Sequence, residues 1–193
     1  MKLEQLSAHD LRPIDALYFS RRGPEDLPAI HIRLHSLEQD DEGDKSDISI
    51  RLDHIPGLAP DPRSLAGRSF RFAINPANAY IDGSVYLQGR HHAVDVTALH
   101  FKAVHGLQIP LEVEACILLE EQAQPLALRL NLPLHLPLDQ AAMLALLEAG
   151  VQATKASNPK DLGRLMAYLK QHVRYDAQLA DVATLARARL QAA

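Results

Sequence analysis

Residues 126–151 read LALRLNLPLHLPL followed by DQAAMLALLEAGV, and the pattern changes at Leu138. Before that residue leucine occupies every second position, which is typical of a β-strand with one apolar face. After it the apolar residues recur at helical spacing, and Asp139 is a favourable N-cap. The change of period therefore predicts a run of strands followed by a run of helices, which is an α+β arrangement.

The chain before this change shows strand periodicity over most of its length. Apolar and polar residues alternate at residues 30–35, 48–53, 70–74 and 111–119. Turn signals separate these segments at Asn75-Pro76, Asp82-Gly83, Gln88-Gly89 and His105-Gly106. Asp82-Gly83 is a strong signal for a two-residue hairpin loop. Because parallel neighbours need long crossover connections, we expect an antiparallel β domain over residues 1–137, as a sandwich or a partly closed barrel.

The leucine-rich strand contains Pro133 and Pro137, which have no N–H to donate to a neighbouring strand. We therefore expect this strand to lie at a sheet edge, or to leave the sheet near Pro133. An apolar edge is a site of unwanted strand pairing unless something covers it. The helices that follow, or a second subunit, would supply that cover.

Two segments between predicted strands have the composition of loops. Residues 37–47 contain six acidic residues, and residues 55–64 contain three prolines. We expect both segments to be mobile surface loops. The acidic segment lacks the alternating ligand spacing of a calcium-binding EF-hand loop, so we expect it to be a solvated loop.

Three short amphipathic helices are predicted in residues 138–193, which we expect to form a small three-helix bundle. The second begins at Pro159 behind the N-cap Asn158, and the third begins near Asp176. Gly163 lies inside the second helix, where glycine costs about 1 kcal/mol relative to alanine. A close contact between two helices is the usual reason for such a glycine, and we expect one here.

The stretch ASNPKDLGRLM (residues 156–166) resembles the tail domain of the B subunit of tRNA-dependent amidotransferases, which also occurs in YqeY-like proteins. The resemblance extends over residues 138–190 and identifies Asp161, Gly163 and Met166 as a helix-packing motif. Arg174 and Asp176 fit a second block of the family, but Ala177 replaces its expected glycine. The resemblance implies a helical module that contacts tRNA and takes no part in catalysis.

Charge is distributed unevenly along the chain. Residues 155–193 hold seven basic and three acidic residues, a net charge of +4, and since the whole chain carries −4, residues 1–154 carry −8. Such asymmetry indicates an anionic partner for the tail, although an ordinary solvated helix surface remains the alternative. The candidate RNA-binding residues are Lys155, Lys160, Arg164, Lys170 and Arg174.

No motif for a metal or an organic cofactor is present, and we expect neither. His31 and His35 lie about 13 Å apart on a strand, too far to bind one ion together. Cys116 shares a strand with Glu112 and Glu114, whose charges disfavour a thiolate, so we expect a structural cysteine. Because the chain has one cysteine, an intrachain disulfide is excluded, and a cytoplasmic location is expected.

A second candidate surface is the predicted hairpin tip at Arg90, His91 and His92, since tip residues often bind partners. No apolar run approaches the roughly 20 residues of a membrane span, so no membrane partner is expected. The sequence therefore predicts a non-catalytic binding protein whose helical tail docks on RNA. The alternative is a protein–protein interaction or assembly module that uses the β edge and hairpin tips. An enzyme with a small ligand in the β domain remains open.

Overall fold

A computed structural model describes residues 3–22, 27–37, 48–74, 81–120 and 122–191. Strands come first and three helices follow, so the chain is α+β. Its packing divides it into two compact units, Met1–Leu136 and Pro137–Ala193, while the predicted boundary followed residue 137. The predicted Asn75-Pro76 turn and residues 38–47 of the acidic segment lie outside the described residues.

The first unit is a closed β-barrel. Its described strands are β1 (Pro13–Arg22), β2 (Leu27–Leu34), β3 (Ile48–Asp53), β4 (Ser69–Arg71), β5 (Asp82–Leu87), β6 (Arg90–Phe101), β7 (Gln108–Ile117) and β8 (Leu126–His135). The order β6-β5-β3-β2-β1-β8-β7 forms a ring, and pairing between β6 and β7 closes it. Strand β4 pairs with β6 outside this ring and is shorter than the strand predicted at residues 70–74. Of the two predicted architectures, the barrel is the observed one.

One neighbouring pair in the ring is parallel. Strand directions can alternate around a closed ring only if the number of strands is even, and this ring has seven. At least one parallel pair is therefore unavoidable. It joins β1 to β8, where Ala16 lies opposite Leu134 and Leu17 lies opposite His135. The other pairs are antiparallel, as predicted.

The leucine row lies inside the barrel, and the prediction of an edge strand is wrong. Strand β8 lies between β7 and β1 and continues past Pro133 to His135. The buried members of the row are Leu128, Leu130, Leu132, Leu134 and Leu136. They face the core of the barrel, so they need no second subunit to cover them.

Paired prolines explain how β8 fits inside a sheet. Pro133 lies opposite Pro110 of β7. The Pro110 carbonyl accepts a hydrogen bond from Lys102 N at 2.9 Å, on the β6 side. The N–H and C=O positions of one residue point to the same side of a strand. The backbone nitrogens of the two prolines therefore point away from each other. The hydrogen bonds between β7 and β8 thus require no N–H from either proline. The parallel pairing with β1 begins at Leu134, directly after Pro133.

The predicted Asp82-Gly83 hairpin loop is wrong, because both residues lie in β5 and pair with β3. Gly83 is required by a close strand contact: an added Cβ would lie 2.1 Å from the carbonyl oxygen of Val94. The hairpin loop is Gln88-Gly89, whose φ angles of 52° and 73° match the two positive values of a type I′ turn. The His105-Gly106 turn between β6 and β7 is confirmed.

The two ends of the barrel are plugged by connecting segments. Ile55 and Leu58 are buried in the core, and the Tyr18 hydroxyl donates to the carbonyl of Ala59 at 2.5 Å. The loop predicted at residues 55–64 does join β3 to β4, but Ile55 and Leu58 lie in the barrel core rather than on the surface. At the opposite end, the Gln122 side chain donates to the carbonyls of two buried leucines, Leu3 and Leu6.

The second unit contains helices α1 (Gln140–Thr154), α2 (Leu162–His172) and α3 (Asp176–Gln191). The predicted caps are confirmed: Asp139 Oδ1 accepts from Ala142 N, and Asn158 with Asp161 forms a capping box over a 3₁₀ turn. The core of this unit consists of Leu138, Leu147, Ala156, Leu165, Leu169, Val173, Val182, Ala186 and Leu190. None of the described helices is long and apolar enough to cross a membrane.

The close helix contact lies at Gly150, not at Gly163 as predicted. A Cβ on Gly150 would approach Leu165 Cδ1 to 2.9 Å and Tyr168 Cδ1 to 3.0 Å, so this glycine lets α1 and α2 pack closely. Gly163 is exposed, and apart from its chain neighbours and the backbone of its own helix no described atom lies within 4 Å of a Cβ built there.

Substitutions at the two glycines should therefore have opposite effects. Gly163→Ala should raise the free energy of unfolding of the helical unit by about 0.5–1 kcal/mol, through helix propensity alone. Gly150→Leu should lower it by about 1–3 kcal/mol, because the side chain has no room between the helices. Chemical denaturation followed by helical circular dichroism measures both. Equal stabilisation by the two substitutions would contradict the packing described here.

Candidate nucleic-acid interface

All five candidate RNA-binding side chains are exposed in the helical unit. One ends α1, one lies in the 3₁₀ turn before α2, two lie in α2 and one lies two residues after it. In that order they are Lys155, Lys160, Arg164, Lys170 and Arg174. We call these residues the α2 basic face, after Arg164 and Lys170, the two that lie within α2.

Helix α2 separates an apolar side from an open side. Leu165 and Leu169 are fully buried and recur four residues apart. The exposed residues of the helix's open side are Gly163, Arg164, Ala167, Lys170 and Gln171. Their spacings of three and four residues place them on one continuous surface, about 16 Å long for an eleven-residue helix. Arg164 and Lys170 therefore share a single open side of α2.

Asp161 is the only acidic residue between Lys155 and Arg174. Its carboxylate accepts from Ser157 N at 2.9 Å and from Arg164 Nη2 at 2.6 Å. The hydrogen bond from Ser157, followed by that from Arg164, lowers the pKa of Asp161. Of the proposed helix-packing motif, Asp161 thus serves as a cap and Met166 packs against the helical core, whereas Gly163 touches no other helix among the described residues.

An aromatic pair that was not singled out from the sequence lies on the flank of α2. The rings of Tyr168 and His172 stack with centroids 4.3 Å apart and planes inclined by 25°. Nδ1 of His172 lies 2.8 Å from the carbonyl oxygen of Tyr168. The spacing of four residues on a predicted helix was the signal that could have identified this pair.

The proposed partner-binding triplet does not form one surface. Arg90 and His91 follow the Gln88-Gly89 loop and are exposed. His91 packs edge-on against Tyr86, which is 60% exposed, with ring centroids 5.2 Å apart. His92 instead is buried, and its Nε2 has no hydrogen-bond partner in the described part of the chain. Because neighbouring residues of a strand point to opposite faces, His91 points outside the barrel and His92 points toward its interior.

A buried charge cluster on the barrel was missed. Asp15 is 3% exposed, and its carboxylate is bound by Arg33 Nε at 2.6 Å and lies 3.2 Å from His135 Nε2. Burial opposes ionisation of Asp15, but the hydrogen bonds and charges of His135 and Arg33 outweigh it and hold the pKa well below its usual range. The cluster spans three strands: the antiparallel β1–β2 pair supplies Arg33, and the parallel β1–β8 pair supplies His135.

A second charge network crosses β6, β7 and β8. Glu112 is bound by Arg129 and lies 3.4 Å from Lys102 Nζ. The hydrogen bond from Arg129 is the main reason that the pKa of Glu112 is lowered. Beside the network lies a shallow groove of about 400 Å³, formed by Lys102, Pro110, Leu111, Asn131, Leu132 and Pro133. The ammonium group of Lys102 is thus engaged by a carboxylate rather than free to react.

Neither a metal site nor an activated thiol is found in the described residues. No group of three or more His, Cys, Asp or Glu side chains there could hold a metal ion. Cys116 is half-buried, and burial, with a smaller effect of the Asp95 charge, raises the pKa of its thiol. A raised pKa keeps the thiol protonated and unreactive, in agreement with a structural cysteine.

Comparison with known proteins adds no relative to these observations. No protein-family model matches the chain, and neither a curated protein nor a solved structure matches it.

The Asp15 cluster predicts a pH-dependent stability. Because the pKa of Asp15 is lowered by folding, its contribution is present above the unfolded value of about 3.9 and is lost as the pH falls below it. Asp15→Asn should lower the free energy of unfolding by about 3 kcal/mol at pH 7. The difference in the free energy of unfolding between Asp15→Asn and the wild type should become smaller below about pH 4.

Denaturant unfolding of the full chain at several pH values measures this effect. Asp82→Asn is the matched control, since that carboxylate is exposed on β5 and should change stability little. If Asp15→Asn lowered the free energy of unfolding by the same amount at pH 7 and at pH 3, the ionic role of Asp15 would be contradicted.

Proposed function

We propose that this protein binds RNA and that the α2 basic face contacts the phosphates. The observation that carries the proposal is the exposure of all five basic side chains between Lys155 and Arg174, where the single acid is already used as a helix cap. Lysine and arginine contacts to phosphates supply most of the affinity of sequence-independent binding. The resemblance of residues 156–166 to a tRNA-contacting tail points to the same class of ligand.

The rest of the chain favours contact through the helical unit. Residues 1–154 carry a net charge of −8, which repels a polyanion, whereas residues 155–193 carry +4. Uneven charge of this kind orients the protein as it approaches the RNA. We therefore expect the RNA to contact the helical unit rather than the acidic part of the chain.

The barrel supports a binding role more than a catalytic one. Two buried carboxylates of the barrel, Asp15 and Glu112, are both held in ion pairs, and burial raises the pKa of the Cys116 thiol. A general base or a nucleophile must instead be available to a substrate. The chemistry of these groups therefore fits a scaffold.

The alternative of an assembly module has less support than its sequence argument suggested. An apolar β edge would have favoured it, but the leucine row is buried in the barrel core. The remaining features in its favour are the exposed Tyr86 near the hairpin loop and the short outer strand β4. Light scattering of the full chain tests this alternative: a stable oligomer would favour it, and a strict monomer would count against it.

Charge reversal at Arg164 and Lys170 should abolish much of the RNA affinity. In fluorescence anisotropy titrations with tRNA and with an unstructured RNA, Arg164→Glu with Lys170→Glu should weaken binding about tenfold or more. The logarithmic salt dependence should also become shallower by about 1.4 for the unstructured strand, because two phosphate contacts are lost.

The matched control reverses two exposed arginines of the barrel strands, Arg51→Glu with Arg71→Glu. It makes the same change in net charge and should weaken binding far less. Thermal melts establish that both double variants are folded. The proposal would be contradicted if the wild type did not bind RNA in low salt, or if the two double variants lost RNA affinity equally.

A further inference from the structure

The Tyr168–His172 pair is held firmly on one flank of α2. Tyr168 packs against α1 at Gly150, where the missing side chain leaves room for its ring. His172 is exposed and stacks on Tyr168 with a centroid separation of 4.3 Å. The outer member of the pair is therefore an aromatic ring that rests on a packed support and faces the solvent.

The orientation of the His172 ring is fixed. Its Nδ1 lies 2.8 Å from the carbonyl oxygen of Tyr168, which can only accept a hydrogen bond. Nδ1 therefore bears the hydrogen atom and donates a hydrogen bond to the helix backbone. The stack and this hydrogen bond hold the imidazole in one position, so a flat ligand could stack on it with little further loss of side-chain entropy.

The His172 ring lies on the same flank of α2 as Arg164, whose guanidinium can bind a phosphate. Arg164, Tyr168 and His172 follow one another at intervals of four residues, so they form a row along one flank of the helix, with about 6 Å of rise per step. Arg164 is 62% exposed, and although one of its nitrogens binds Asp161, guanidinium offers five donors in all. A phosphate-binding group and an aromatic face thus lie on the same flank of α2.

We propose that His172, supported by Tyr168, is a stacking site for an unpaired nucleobase of the RNA strand whose phosphates contact Arg164 and Lys170. This inference rests on the proposed RNA binding and specifies its ligand as single-stranded or loop RNA. Bases inside a duplex are already stacked on their neighbours, whereas unpaired bases can stack on protein rings. Stacking of this kind tolerates any base, because every base has a π-face.

The test compares a twelve-residue single strand of RNA with a duplex of the same length. His172→Ala should weaken binding of the single strand by between about fivefold and 150-fold, the range for loss of one stacked base. It should leave duplex binding and the salt dependence unchanged, because no phosphate contact is removed. His172→Phe should retain most of the affinity, and Gln171→Ala, an exposed neighbour, should resemble the wild type.

A single strand that carries 2-aminopurine provides a direct readout of stacking. Its fluorescence should fall when the wild type or His172→Phe binds, and should stay higher with His172→Ala. Circular dichroism establishes that the helix is intact in each variant. If His172→Ala binds and quenches the single strand as the wild type does, the stacking site is overturned.

The failure of this site can be separated from the failure of RNA binding itself. If charge reversal at Arg164 and Lys170 weakens binding while His172→Ala does not, the stacking site alone is wrong. If the wild type binds neither the single strand nor the duplex, both proposals are wrong.

Discussion

The barrel depends on one topological constraint: a closed ring of seven strands must contain a parallel pair. That pair joins β1 to β8 and so encloses β8, which carries the leucine row, between two neighbouring strands. It also places His135 beside Asp15, whose other partner, Arg33, comes from the strand on the opposite side. The packing of the barrel and its most deeply buried ion pair therefore share one origin.

Local patterns predicted local structure well, because their causes lie within a few residues. Alternation located β2, β3 and β7. The capping residues located the start of α1 after Asp139 and the 3₁₀ turn after Asn158, although α2 itself begins at Leu162. The errors concern relations between distant strands. Whether Asp82-Gly83 turns or continues depends on its pairing with β3, and whether β8 is an edge depends on closure of the ring. Neither is encoded in a short window of sequence.

In the candidate interface too, local features were predicted correctly and contacts between helices were not. Exposure of Arg164 and Lys170 followed from the period of α2, since the buried stripe could be read from its leucines. The assignment of the tight contact to Gly163 failed because a glycine in a helix does not reveal which side faces the neighbour, and Gly150 makes that contact. The four-residue spacing of Tyr168 and His172 was visible in the sequence, but the stacking of their rings required coordinates.

The parallel seam has a consequence for synthesis of the protein on the ribosome. Ala16 and Leu134, which lie opposite each other in the seam, are separated by 118 positions, the difference of their residue numbers. The barrel therefore cannot close until nearly all of the barrel unit has been translated. Until then, the side of β1 that pairs with β8 has no partner strand. The helices, by contrast, form from contacts within the last quarter or so of the chain, after the seam residues have emerged.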